Sequence, residues 1–141
     1  MIEIQLHIES AIAAGKDVWV AGPAIEQHIS MLEAALDVQL PLSYQSFLQK
    51  FGALSIGDNS VSGIIDGSPL TMDGGSMYGE TQRSRQEQSL PPGLLVLQPD
   101  GDAPYCLAAP HDEVICYQVS TQTSKQVAAS FEDWLSRFVF A

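Results

Sequence analysis

The sequence predicts an α+β fold, with N-terminal helices and a C-terminal helix packed on a mostly antiparallel β-sheet. Apolar residues recur at helical spacing in residues 22–52 and again after residue 130. Between these segments, short apolar runs alternate with turn residues, a pattern typical of antiparallel strands with short connections. The order of helices, strands and a final helix favours α+β over alternating parallel units.

The first predicted elements lie between the N-terminus and a Leu-Pro corner. Residues 2–14 mix strand-like alternation with a helical ending at Gly15, and we favour a helix. Residues 17–21 form an apolar bridge, which Trp19 is expected to anchor to the core. A helix is predicted to begin at Pro23, since proline suits the first helical position. Its apolar stripe consists of Ile25, Ile29, Leu32 and Leu36.

A second helix is predicted directly after the corner. Pro41 disfavours helix at Leu40, so the preceding helix should end before that residue. Gly52 stands where helices commonly end in a left-handed residue. One face of this helix consists of Tyr44, Phe47, Leu48 and Phe51. We expect Phe47, together with Trp134 from the last helix, to anchor the core.

The central region predicts strands around one polar helix. Residues 53–57 and 60–65 are expected to form a hairpin around Asp58-Asn59, followed by a long loop over 66–79. Residues 81–88 are polar and compatible with a helix, whose Arg83 and Arg85 are expected to offset acids such as Glu80 or Glu87. Leu94–Leu97 is an apolar run typical of a central strand.

The last part of the chain predicts two strands and a helix. After a turn at residues 99–102, residues 103–108 and 113–120 are expected to pair around residues 109–112. If that turn is centred on His111, Cys106 and Cys116 lie opposite each other on one face. The last helix should begin at Ser130, a favourable N-cap with Asp133 three residues later. Its buried face is predicted to be Phe131, Trp134, Leu135 and Phe138.

Length and charge limit the possible functions. A chain of 141 residues suits a single domain. Seventeen acidic and six basic residues give a net charge of −11, which argues against nucleic acid or an anionic membrane as partner. The start lacks a basic segment typical of a secretory signal, and the apolar runs are too short to span a bilayer. We therefore expect a cytoplasmic protein with reduced cysteines and a cationic protein partner.

The negative charge is concentrated between residues 51 and 124. Nine acids and two bases, Arg83 and Arg85, give that span a charge of −7. Two interpretations stay open: a solvated surface that keeps the protein soluble, or a surface for electrostatic docking. The candidate partner-binding residues are Asp58, Asp66, Asp73, Asp100, Asp102, Asp112 and Glu113.

Catalytic and metal-binding patterns are weak. A metal site could use Asp100, Asp102, His111 and Asp112, but Asp-x-Asp is common in turns and the further ligands of a calcium loop are missing. His7, His28 and His111 are the available imidazole bases, and no serine stands in a Gly-x-Ser-x-Gly elbow. Cys106 and Cys116 lie in apolar runs, where a thiol usually serves packing. We predict neither catalysis nor a cofactor.

Several segments together resemble a known family. An acidic helix followed by LPLSYQSFLQKFG is similar to the signature of the SUKH superfamily, which includes the yeast cell-wall assembly regulator and many bacterial immunity proteins. YGETQRSR, LPPGLLVL, PDGDAPYCL and SFEDWL follow in the same order, so the resemblance spans residues 22–137. Ala108 and Ala109 follow Leu107 where many relatives carry an acid, so no site residue is transferred from that position.

The resemblance implies a single SUKH-like domain over residues 1–141 that binds a protein. By this resemblance, the leading hypothesis is a non-enzymatic immunity protein that binds and neutralises a cognate toxin. The toxin is expected to be a cationic nuclease, because many toxins paired with this superfamily are nucleases and nucleases are often cationic where they grip a phosphate backbone. A scaffold or interaction module like the yeast regulator is the first alternative, and a small enzyme that uses the acidic loops is the second. A toxin-like gene next door would favour immunity, whereas clustered titratable residues in a deep pocket would favour an enzyme.

Overall fold

The structure, a computed structural model, describes residues 3–141 as five helices and seven strands. The helices are α1 Ile4–Ala13, α2 Glu26–Leu36, α3 Leu42–Phe51, α4 Met77–Gln88 and α5 Phe131–Trp134, which continues as a π-helical turn over Leu135–Val139. The strands are β1 Val18–Val20, β2 Leu54–Ile56, β3 Asn59–Val61, β4 Leu94–Gln98, β5 Tyr105–Ala108, β6 Val114–Gln118 and β7 Thr123–Ala128.

The strands form two antiparallel sheets, which confirms the predicted α+β class. One sheet has the order β1-β2-β3 and the other β4-β5-β6-β7. Strand β7 was not predicted, because Thr123–Gln126 are polar and exposed and therefore lack apolar alternation. The division into two sheets was not predicted either.

Hydrogen bonds from Ser62, directly after β3, and from α4 cover the outer edge of β4. The Ser62 N–H donates to the Leu97 carbonyl at 2.8 Å, and the Ser62 hydroxyl donates to the Val96 carbonyl. The Thr81 hydroxyl oxygen accepts the Val96 N–H at 3.0 Å. The prediction that Leu94–Leu97 is a central strand was therefore wrong. This strand ends its sheet, and its apolar composition reflects the covered edge.

The core centres on aromatic side chains from α3 and α5. Phe47 and Trp134 are 1% and 0% exposed, which confirms both as core residues. The Phe131 ring lies edge-on to the rings of Tyr44 and Phe47, with centroid distances of 5.3 and 5.5 Å. Such geometry places the positive edge of one ring against the negative face of another.

The N-cap of α5 is also confirmed, since the Ser130 hydroxyl accepts the Asp133 N–H at 3.0 Å. Phe138 is only partly buried.

The segment between α1 and α2 differs from the prediction. The helix α1 is confirmed, but residues 18–20 form a strand at the edge of its sheet. Trp19 is 47% exposed, so the prediction that it anchors this segment to the core was wrong. Trp19 pairs with Ser55, and both side chains lie on the face of the strand turned away from the core.

Helix α2 begins three residues later than predicted. Pro23 precedes the helix, and Ile25 is its N-cap with a side chain 54% exposed. The reason lies in the backbone, because the N–H groups of Gly22 and Ala24 donate to the carbonyls of Phe51 and Leu48 at 2.9 Å. These bonds hold the segment beside the end of α3. The rest of the stripe is confirmed as buried: Ile29, Leu32 and Leu36.

The chain crosses itself closely where α3 ends. Gly52 has a φ of 73° but a ψ of −67°, so its φ is positive as expected although its ψ lies outside the left-handed helical region. Its carbonyl accepts the Ile64 N–H at 3.0 Å. A Cβ atom on Gly63 would lie 1.7 Å from the Gly52 carbonyl oxygen, so no side chain fits there. The hairpin that follows is confirmed, but its predicted turn at Asp58-Asn59 was wrong by one residue, because Ile56 pairs with Asn59 and leaves Gly57-Asp58 as the turn.

The register of β5 and β6 separates the two cysteines. Cys106 pairs with Ile115, and Cys116 pairs with Tyr105. Successive side chains alternate between the faces of a sheet, so the thiols lie on opposite faces. The prediction of a shared face was wrong, because the turn is centred between Pro110 and His111. Both cysteines are free.

Candidate partner-binding surface

The seven candidate carboxylates lie on connections between elements. None of these positions lies within a strand, so the side chains are not confined between neighbouring strands. Asp58 is in the β2–β3 turn, Asp66 and Asp73 are in the β3–α4 connection, Asp100 and Asp102 are in the β4–β5 turn, and Asp112 and Glu113 are in the β5–β6 loop. The first five are exposed and the last two are partly buried.

The structure does not bring these carboxylates onto one face. Asp100 and Asp102 precede β5, whereas Asp112 and Glu113 follow it. The two pairs are therefore separated by the length of a four-residue strand, about 13 Å. Asp58 belongs to the other sheet, near Asp17, whose carbonyl accepts the Gly57 N–H at 2.8 Å. The negative charge thus forms several separate groups.

None of the seven carboxylates takes part in an ion pair within residues 3–141. The ion pairs of this part of the chain join Glu80 to Arg83 at 2.8 Å and Asp133 to Arg137 at 3.1 Å. The first confirms the predicted pairing of Arg83. Arg85 instead donates to the Pro92 carbonyl at 2.8 Å. The turns of both sheets therefore carry negative charge that no basic side chain offsets at short range.

One of the seven carboxylates lies beside a cleft. The Ser43 hydroxyl at the start of α3 donates to the Asp112 carboxylate at 3.4 Å. Leu42 is 79% exposed, and both Leu42 and Asp112 line this cleft. Leu42 was not among the candidate residues predicted from the sequence. Its position in the helix could have indicated an exposed apolar side chain, because Leu42 is out of phase with the buried stripe that contains Tyr44 and Phe47.

The four residues considered for metal binding are separated by β5, like the carboxylates at its two ends. Asp100 and Asp102 lie at one end of β5, and His111 and Asp112 lie at the other. Among residues 3–141, no three His, Cys, Asp or Glu side chains gather as a metal site. His7 stacks on Phe140 with ring centroids 4.7 Å apart, a packing contact.

The two thiols are poor nucleophiles at neutral pH. Burial, with a smaller contribution from the neighbouring Cys116, raises the pKa of Cys106 to about 12. The pKa of Cys116 is also raised, first by burial and then by the Asp100 carboxylate. A thiolate is the reactive form of cysteine, so both side chains stay protonated and unreactive in the folded protein.

None of the helices formed by residues 3–141 is both long enough and apolar enough to pass through a membrane.

Comparison with known proteins identifies the family. A family model described as SMI1-KNR4 cell-wall, SUKH_5, matches residues 4–140. Since this match includes nearly every residue, the protein belongs to the SUKH_5 family, which confirms the resemblance seen in the sequence. Domains of this family are often immunity proteins and are generally non-catalytic.

A solved structure has the same fold. The crystal structure of a protein from Pseudomonas syringae pv. tomato superposes with a TM-score of 0.69 at 18% sequence identity. The match covers 95% of this chain and 96% of the other. At this identity the likeness shows the fold alone. No curated protein matches the chain.

Proposed function

We propose that residues 1–141 act as one non-enzymatic immunity domain, which binds a cognate toxin in the cytoplasm and covers its active surface. The observation that carries this proposal is the family membership over residues 4–140, because such domains are often immunity proteins. Occlusion by a protein surface requires no cofactor and no nucleophile. The raised pKa values of Cys106 and Cys116 are consistent with that mode of action.

The proposed toxin is cationic and of the nuclease type. Nucleases grip a phosphate backbone with basic side chains, and an acidic inhibitor can cover such a surface. The seven carboxylates, which form no ion pair with any of residues 3–141, support this choice of partner, as does the net charge of −11. Long-range attraction between opposite charges can raise association rates by roughly ten- to a thousandfold at low salt.

The test uses the product of the gene adjacent to the one that encodes this chain. That product is expressed in a bacterial host with and without this protein, and colony formation is counted. We expect loss of viability when the neighbour is expressed alone and recovery when both are present. The purified proteins should also form a complex.

Two outcomes would contradict the proposal. Complex formation without recovery of viability would indicate an interaction or scaffold module instead of an immunity protein. The second outcome is a toxic adjacent product that this chain neither binds nor neutralises. That result would contradict the proposed pairing of this chain with its neighbour.

A further inference from the structure

Two clefts meet at the beginning of α3. The first has a volume of about 410 Å³ and lies between α1, α3 and α5. The second has a volume of about 460 Å³ and lies between the α2–α3 corner and the β5–β6 loop. Leu42 and Ser43 line both clefts, which therefore form one surface, named here the Leu42 groove.

The first cleft has an aromatic floor. Phe47, Phe51 and Phe131 line it, and each is at least nine-tenths buried by the rest of the protein. Leu42 stands at the junction with 79% of its surface exposed. A side chain inserted here would gain apolar contacts and remove Leu42 from water. Interfaces place their energetically dominant contacts in such desolvated pockets.

The rim of the groove is acidic. Glu3 and Glu132 line the first cleft and Asp112 lines the second. Lys50 is the lysine of the rim, and the His111 imidazole also lines the second cleft. Three carboxylates and one ammonium give these four residues a charge of −2. No ion pair within residues 3–141 involves any of the four. The charge of the rim therefore complements a basic segment of a partner.

We propose that the Leu42 groove is the anchor site for the toxin, where it receives an aromatic or long aliphatic side chain beside a lysine or arginine. This inference rests on the proposed function, and it divides the seven acids into two roles. Asp112 contacts the bound segment. The exposed acids of the other turns act at a distance on the rate of association.

The groove can be tested without the toxin. Peptide Ac-Gly-Phe-Arg-Gly-NH2 is titrated into the full chain, with Ac-Gly-Phe-Glu-Gly-NH2 and Ac-Gly-Ala-Arg-Gly-NH2 as comparisons, and methyl NMR signals of leucine and isoleucine are followed. The Phe-Arg peptide should shift the signals of Leu42 and Ile4 most. Equal shifts from the Phe-Glu peptide, or no shift of Leu42 at millimolar peptide, would overturn the proposal.

A matched pair of variants locates the binding. Ser46 and Gln49 are both exposed positions of α3, but only Ser46 is among the residues that line the first cleft. Ser46→Trp should fill the cleft and abolish the shifts caused by the Phe-Arg peptide, whereas Gln49→Trp should leave them unchanged. Shifts that persist in Ser46→Trp would place the peptide outside the groove and contradict the proposal.

Toxin kinetics separate this inference from the proposed function. With the toxin, Ser46→Trp should raise the dissociation rate by about tenfold or more while the association rate changes little. A Ser46→Trp protein that still protects cells and dissociates at the wild-type rate would refute the groove but retain the immunity function. Peptide binding in the groove together with failed protection would refute the immunity function instead.

Discussion

The aromatic core between α3 and α5 and the turns that carry the seven carboxylates differ in burial and in charge. Phe47 and Trp134 are almost completely enclosed by other apolar side chains. Asp58, Asp66 and Asp73 are exposed and form no ion pair with a basic residue of 3–141. The free energy of folding thus depends on the core, whereas the proposed long-range attraction of a partner depends on the turns, so a substitution in the turns can change association and spare stability.

The largest effect is expected in the core. Phe47→Ala or Trp134→Ala should lower the free energy of unfolding by roughly 3–5 kcal/mol, because each removes a buried ring and leaves a cavity. Urea unfolding measures the difference. Leu42→Ala is the control, and it should change stability by about 0.5 kcal/mol or less because Leu42 is exposed. Near wild-type midpoints for both core variants would contradict the assigned core.

A smaller loss of stability is expected from a substitution at the edge of β4. Thr81→Val leaves the buried Val96 N–H without its acceptor, which should cost about 1–3 kcal/mol. The shape of the side chain is nearly unchanged, so the loss reports the hydrogen bond. Thr123→Val on the exposed strand β7 is the matched control and should have little effect. Equal stabilities of the two variants would show that Thr81 does not protect this edge.

A pH dependence should come from Cys106. Its thiol has a pKa of about 12 in the folded protein against an ordinary value of 9.0. Between these values the unfolded chain releases the proton and the folded chain keeps it. The free energy of unfolding should therefore fall as pH rises, by at most about 1.4 kcal/mol per pH unit from this group.

Cys106→Ala isolates this contribution. The variant and the wild type are unfolded in urea at a series of alkaline pH values, and their slopes against pH are compared. The wild type should lose stability more steeply, whatever the difference in absolute stability. Identical slopes would mean that the Cys106 thiol ionises as readily in the folded chain as in the unfolded one.

The smallest effect on stability is expected at the turns. Replacing Asp58, Asp66 and Asp73 together by Asn should leave the unfolding free energy nearly unchanged. Asp66 has a φ of 51°, a conformation that Asn tolerates well. Association with the cationic toxin should slow by roughly threefold or more at low salt, while dissociation changes little.

Stopped-flow measurements over a salt series decide this last comparison. Wild-type association should slow as salt rises, because screening shortens the Debye length to about 8 Å at physiological ionic strength. The triple variant should show a weaker salt dependence. Salt-independent association, unchanged in the variant, would assign these acids to solubility alone.

The sequence predicted those parts of the fold that depend on local patterns. Helix α3 was predicted with its buried face because its apolar residues repeat at helical spacing. Trp19 was misplaced because its exposure depends on which strand lies beside β1, and that neighbour comes from residues 54–56. The cysteine faces were misassigned because a half-residue shift in the centre of a turn reverses the side on which a thiol lies.

The candidate surface was predictable in composition but not in arrangement. Counting charges identified the acidic span, since unpaired acids outnumber bases there. The Leu42 groove depends on packing between α1, α3, α5 and the β5–β6 loop, which no short window of sequence contains. The sequence could therefore name Asp112 as a candidate. That Asp112 lines a cleft, whereas Asp58 lies in an exposed turn, is visible only in the tertiary structure.

The crossing of Gly52 and Gly63 also has a consequence for divergence within the family. Two backbones in direct contact leave no volume for a side chain, so this junction can vary neither by drift nor by selection for a new partner. The turns and the groove have no such restriction. A combinatorial library that randomises the turns and the rim while fixing both glycines should therefore explore new specificities on an unchanged scaffold.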